Sequence, residues 1–279
     1  ISAGDGADTI TGGLGSNTID GEAGIDVITY KSIGSAVTVN LGANSATGWG
    51  GADSITGIEN IIGPDSASNL SGDGAANSIV GGSANDTIAG GAGDNTLDGG
   101  AGVNTLTYET LASSVFVDLS AASAASALGT DSFTGFINVI GSTAGDSIIG
   151  DSAANSIVGG SANDTITGGL GSNTIDGEAG IDVITYENMT SGITVNLDLN
   201  SASGTGIVDS ITGIENIIGS TADDLIVGNT GNNSILAGDG NDTVGGGAGD
   251  NTLDGGAGVN TLTYETLASS VFVDLSAAS

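Results

Sequence analysis

Tandem repetition every nine residues is the feature that most constrains what this chain can fold into, and it precedes any reading of secondary structure. Copies include AGDGADTIT from Ala3, GGLGSNTID from Gly12, GEAGIDVIT from Gly21, GGSANDTIA from Gly81 and GGAGDNTLD from Gly90. Gly fills the first positions, Asp or Asn the sixth, and Ile, Leu or Val the eighth, flanked by Thr, Ser or Val. Gly supplies left-handed turn conformations without a Cβ penalty, and the β-branched trio suits a short strand with its middle residue inward. Six residues of turn therefore precede three of strand. Two such half-coils make an 18-residue coil whose strands stack in parallel on those of the next, an all-β solenoid.

A second period is 78 residues, seen at Asp20, Asp98, Asp176 and Asp254 and at Tyr30, Tyr108, Tyr186 and Tyr264. The chain divides into a partial unit at 1–62 (nonapeptides 3–29, connector 30–62), units at 63–140 and 141–218, and a partial unit at 219–279, forming one continuous solenoid. Residues 8–30 are identical to 164–186, and 90–123 to 246–279, so the nearest copies lie two units apart, as duplication of a paired unit would leave them.

Composition removes most other functions. The 279 residues include 33 acids, a single basic side chain (Lys31), and no Arg, His or Cys, for a formal charge of −32. That charge repels phosphate backbones and anionic lipid, which excludes nucleic acid as a partner. Neither a usual zinc site nor a thiol or Ser-His nucleophile can be built, and no disulfide supports the fold. No run of 18 apolar residues suggests membrane insertion. Aromatics are 3% of residues, so the core is thin and stability is expected to come from packing, backbone ladders or bound ions. Abundant carboxylates point to hard cations.

The nonapeptide arrays resemble the RTX, or haemolysin-type calcium-binding, repeat, whose pattern is G-G-x-G-x-D-x-U-x. Stretches of the connectors, VTVNL at Val37 and SITGIENIIG at Ser54 and Ser210, resemble segments found between such arrays. The resemblance implies a parallel β-roll with Ca2+ between turns of successive coils, held by sixth-position carboxylates and backbone carbonyls. It also implies secretion and folding outside the cell.

Successive nonapeptides lie on opposite edges, so each edge is read separately. On one, the sixth residues are Asp8 and Asp26; Asp86 and Asn104; Asp146, Asp164 and Asp182; Asp224, Asp242 and Asn260. On the other they are all Asn: Asn17, Asn77, Asn95, Asn155, Asn173, Asn233 and Asn251. The eight Asp are the expected metal ligands, because stacked carboxylates one strand spacing apart repel without a cation. Asn carries no charge, so that edge is expected to stand without ions, each amide donating to the Asn of the next coil. For the Asp edge to stay on one side, each unit must close a whole number of coils. Five nonapeptides plus three connector half-strands centred on Val39, Ile55 and Ile62 would give four, a rise of ~19 Å per unit.

Other groupings are weaker. Asp20 with Glu22, and Asp223 with Asp224, are the only pairs that suggest glycoside hydrolysis, yet acids recur at every repeat and few aromatics (Trp49 among them) exist to stack a sugar. No catalytic residue is expected. Thr-x-Thr pairs at Thr9 and Thr11, Thr105 and Thr107, Thr165 and Thr167, and Thr261 and Thr263 suggest an ice- or surface-binding alternative. The four Tyr are expected to cap the core with the phenol in solvent. The reading is an extracellular structural rod of a surface adhesin, surface-layer or filament-forming protein, with neighbouring repeats or copies of itself end to end as partners and a cell or solid surface as a possible ligand. Ile1 opens within a repeat, and the closing VFVDLSAAS continues into the rest of a connector at Ser123, so the chain is read as a window on a longer array.

Overall fold

A computed structural model describes residues 1–48, 50–265, 267, 268, 270 and 273. Trp49 and nearly all of the final VFVDLSAAS stretch lie outside the described residues. Every regular element among them is a strand. The strands form two facing sheets, one of 14 strands and one of 16. Consecutive nonapeptides alternate between them: Thr9–Ile10 and Val27–Thr29 lie in the first, and Thr18–Asp20 in the second.

Each array half-coil follows the period of the sequence. Three-residue strands such as Thr87–Ala89 and Thr165–Thr167 bury only the middle side chain, and partners stand 18 residues apart in parallel register, as in Ser147↔Thr165 and Ile148↔Ile166. Ile148, Ile166 and Ile184 form a continuous inward column facing Ile157 and Ile175, all fully buried. Each such burial is worth about 1.5–3 kcal/mol, so the core is a single file of aliphatic side chains between turns. The turns are packed backbone on backbone. At Gly91, where φ is +85°, an added Cβ would collide with the Asp73 carbonyl of the coil below.

The connectors are built differently from the expected three half-strands. Val37–Asn40, Ser45–Gly48 and Gly51–Thr56 form an antiparallel meander inside one sheet. Its last strand pairs in parallel with the preceding Thr18–Asp20 and its first with the following Asn69–Ser71, so the chain steps ahead and folds back. Asn60–Ile62 then rejoins the other sheet. Val39 and Ile55 point inward as expected, but in the last strand it is Ile61, not Ile62, that does so. The same meander recurs over Val115–Thr134 and Ile193–Thr212.

Because the meander occupies one pass, the chain crosses seven half-coil positions from Asn69–Ser71 to Ser147–Ile149, three and a half coils instead of a whole number. The sheets therefore exchange roles at each connector. The first and third meanders lie in the 16-strand sheet and the second in the 14-strand sheet.

Candidate cation columns

The sixth residue of each nonapeptide stands just before its strand, where the Gly-rich turn narrows and brings it above its counterpart one coil away. A regular link joins them. The backbone N–H of Asp8 donates to Asp26 Oδ1 at 2.8 Å, Asp146 to Asp164 and Asp164 to Asp182 at 2.7 Å, and Asp224 to Asp242 at 2.8 Å. Asn uses the same link: Asn77 N–H donates to Asn95 Oδ1 and Asn155 N–H to Asn173 Oδ1. Asp and Asn thus do identical work with Oδ1 and differ only in the second atom.

That second atom divides the columns. In Asp8, Asp26, Asp86, Asp164, Asp182 and Asp242 the buried Oδ2 has no hydrogen-bond partner. A carboxylate oxygen removed from water without a donor is costly unless a cation faces it. Burial raises the carboxyls of Asp86, Asp182 and Asp242 above the usual range, and that of Asp164 to about 6, against the N–H donated from one coil back. A backbone carbonyl approaches the same place. Asp86 Oδ2 and the Gly99 carbonyl each lie 2.6 Å from where a Cβ on Gly81 would stand. Asp164 Oδ2 and the Gly177 carbonyl share the corresponding cradle at Gly159. Oxygen without donors, carboxylate and carbonyl together, is the donor set of a hard cation such as Ca2+. No cluster of three acidic groups suited to a metal forms among the described residues; the arrangement is a line, not a cage.

Asp146 and Asp224 differ from the other six. Each opens an array, accepts Ser142 or Ser220 through both backbone N–H and hydroxyl, and takes the N–H of Val115 or Ile193 from the meander. Ser68 fills this place in the preceding array and accepts Val37 N–H.

The Asn residues do not form the expected amide-to-amide ladder. Asn77, Asn155 and Asn233 donate Nδ2 to the backbone carbonyls of residues 59, 137 and 215 one coil back, while Asn95 and Asn173 donate Nδ2 to Asp131 and Asp209. A carbonyl or carboxylate is a better acceptor than a neighbouring amide already engaged through Oδ1. Nor do Asp and Asn keep to separate edges. With seven half-coils between arrays, the turns leading into the 14-strand sheet carry Asp8, Asp26, then Asn77, Asn95, then Asp146, Asp164, Asp182, then Asn233, Asn251. The opposite edge carries the complementary series.

Sequence reading missed how the Asn blocks end. Tyr108 is 3% exposed, and its hydroxyl donates to Asp131 Oδ2 at 2.8 Å, whose Oδ1 accepts both N–H and Nδ2 of Asn95. Tyr30, Asp53 and Asn17 repeat the triad, as do Tyr186, Asp209 and Asn173. The phenols of Tyr30, Tyr108 and Tyr186 are therefore buried, not in solvent, each donating to a buried carboxylate, whereas Tyr264 is half-buried. The 78-residue spacing of Asp53, Asp131 and Asp209 was the signal. Acids proposed for hydrolysis do not converge: Asp224 is buried against Ser220, Asp223 is exposed with Oδ1 accepting Asn241 N–H, and Asp20 accepts the N–H of Glu22 in its own turn. Outward Thr rows are short, as in Asn69–Thr87–Thr105–Asn138.

A family model described as the RTX calcium-binding nonapeptide repeat (4 copies) matches residues 1–28, 71–106, 140–184, 210–244, 218–253 and 227–262, more than half of the chain. No curated protein matches it.

Proposed function

Since the chain belongs to the RTX calcium-binding nonapeptide repeat family, whose repeats bind calcium, we propose that it is a secreted, calcium-stabilised rod within a surface adhesin, surface-layer or filament-forming protein. The observation that carries this reading is the series of buried, donor-less Oδ2 atoms on Asp8, Asp26, Asp86, Asp164, Asp182 and Asp242. These carboxylates, with Asp146 and Asp224 at the start of their columns and the neighbouring Gly carbonyls, would hold the ions. Calcium supplies positive charge between stacked acids; the chain supplies the spacing.

The role is mechanical because the architecture is. A solenoid contacts only its neighbouring coils, so its length follows repeat number. At −32 with a single-file core, repulsion and chain entropy oppose folding until cations bind, and binding free energy becomes folding free energy. Such a chain stays unfolded at the low free calcium inside cells and orders outside. Further repeats, or copies stacked along the axis, are the partners this reading expects. Circular dichroism is the test: the 279-residue chain in chelator should give a coil spectrum and recover β signal on adding calcium. An equally stable β-roll in chelator would refute the reading.

A further inference from the structure

Two connector residues lie in the acid columns. Glu59 stands just before Asn60–Ile62, the place of a sixth residue, and its Oε2 accepts Asp26 N–H at 2.8 Å. Glu215 stands likewise before Asn216–Ile218 and accepts Asp182 N–H at 2.9 Å. They extend the runs to Asp8–Asp26–Glu59 and Asp146–Asp164–Asp182–Glu215. At each end two acceptors meet without a donor. Asp26 is fully buried and its unpartnered Oδ2 lies 2.7 Å from the Cβ position of Gly21, where the Gly57 carbonyl also points; Asp182 Oδ2 and the Gly213 carbonyl crowd Gly177 in the same way.

The chain contains its own comparison. In the intervening unit the corresponding residues are Asn104, Gly135 and Ile137. There Asn104 Nδ2 donates to the Gly135 carbonyl at 2.8 Å, filling with an N–H the place that is donor-less at the other two junctions. The backbone is the same in all three: Glu59, Ile137 and Glu215 donate N–H to residues 26, 104 and 182 at 3.2 Å, and their carbonyls accept Nδ2 of Asn77, Asn155 and Asn233. Only the side chains change, and they change together: Asp with Glu, Asn with Ile.

We propose that Glu59 and Glu215 are cation ligands outside the nonapeptides, closing the two acid columns with a divalent ion held by Asp26, Glu59 and the Gly57 carbonyl, and by Asp182, Glu215 and the Gly213 carbonyl. The Asn104–Ile137 junction closes without one. Array ends thus alternate between ion-locked and amide-locked along the rod. This rests on the calcium reading above and adds sites to it.

The test is calcium binding by the full chain, measured by equilibrium dialysis with radioactive calcium. E59Q/E215Q should lose two bound ions per chain, or bind two of them at least tenfold more weakly, and keep the rest. N104D/I137E should gain one. Unchanged stoichiometry and affinity in E59Q/E215Q would overturn the proposal while leaving the calcium rod intact. A wild-type chain that binds no calcium would remove the reading beneath it. If E59Q/E215Q does not fold in calcium, N104D/I137E decides, and no added ion in that variant counts against the proposal.

Discussion

At the scale of single residues, the fold turns on one atom. Oδ1 of Asp or Asn accepts the N–H one coil back, while the second atom is, in six of the Asp, a buried oxygen without a donor or, in Asn, an amide that finds a carbonyl or carboxylate. The Tyr triads are the third solution, a carboxylate satisfied by a phenol. Tyr108→Phe leaves Asp131 Oδ2 buried without its donor, and a hydrogen bond to a charged group is worth about 1.5–3 kcal/mol; that loss should appear in calcium as a lowered denaturant midpoint, and Asp131→Asn in the same chain should return part of it. The buried acids also set a pH dependence. Burial raises Asp86, Asp131, Asp164, Asp182, Asp209 and Asp242 in the folded chain, Asp164 to about 6 from 3.8. A raised carboxyl favours folding while protonated, so its contribution is complete below 3.8 and is lost as pH rises through about 6. In chelator, acidification from about pH 7 to 4 should therefore recover β signal, protons replacing cations. Loss of net charge acts in the same direction, so a variant with Asp86 and Asp164 changed to Asn should recover signal at higher pH than wild type; identical titrations would contradict the assignment.

At the scale of elements, the half-coil was legible and the connector was not. Gly turns, the short strand and the inward Ile, Leu or Val follow from a nine-residue pattern whose copies within the arrays pair in 18-residue register, because a backbone-packed turn admits little else. The columns were legible as residue types, since position six lies at the edge in every copy. Their placement on edges was not, because it depends on whether the connector spans an even or odd number of half-coils, and antiparallel folding within one sheet leaves no mark in hydrophobic spacing that distinguishes it from alternation. Glu59 and Asp53 were passed over for the same reason: outside the nonapeptide there is no register to assign them to. The parity of half-coils has a consequence that can be measured. Deleting the single nonapeptide 90–98 would put the meanders at Val37–Thr56 and Val115–Thr134 in the same sheet, giving it four more strands than its partner over that span, about 19 Å of mismatch. Deleting 81–98 removes twice as much chain, including Asp86, but keeps the meanders in opposite sheets. In calcium the shorter deletion should unfold at the lower temperature; the reverse order would show that the sheets need not stay matched.

At the scale of the whole molecule, alternation makes the two-unit pair the structural period. From Asn69 to Leu225 the 16-strand sheet gains nine strands, and from Ser78 to Ser234 the 14-strand sheet gains the same number. Neither sheet outruns the other over a pair, although each does within a unit. This gives the identity of segments 156 residues apart a physical sense: only at that separation do copies meet the same sheet, the same edge and the same neighbouring meander. Nine strands at ~4.8 Å set the axial repeat of the pair at ~43 Å, longer than the ~38 Å expected from eight coils, because each meander adds strands without adding turns. Tandem copies of the 156-residue pair, oriented in calcium and examined by fibre diffraction or electron microscopy, should show a ~43 Å spacing. Terbium in place of calcium should mark ion columns alternately on the two edges, exchanging sides every ~22 Å. An unbroken column along a single edge, or a spacing near ~38 Å, would mean that the connectors close whole coils and that the sheets do not exchange roles.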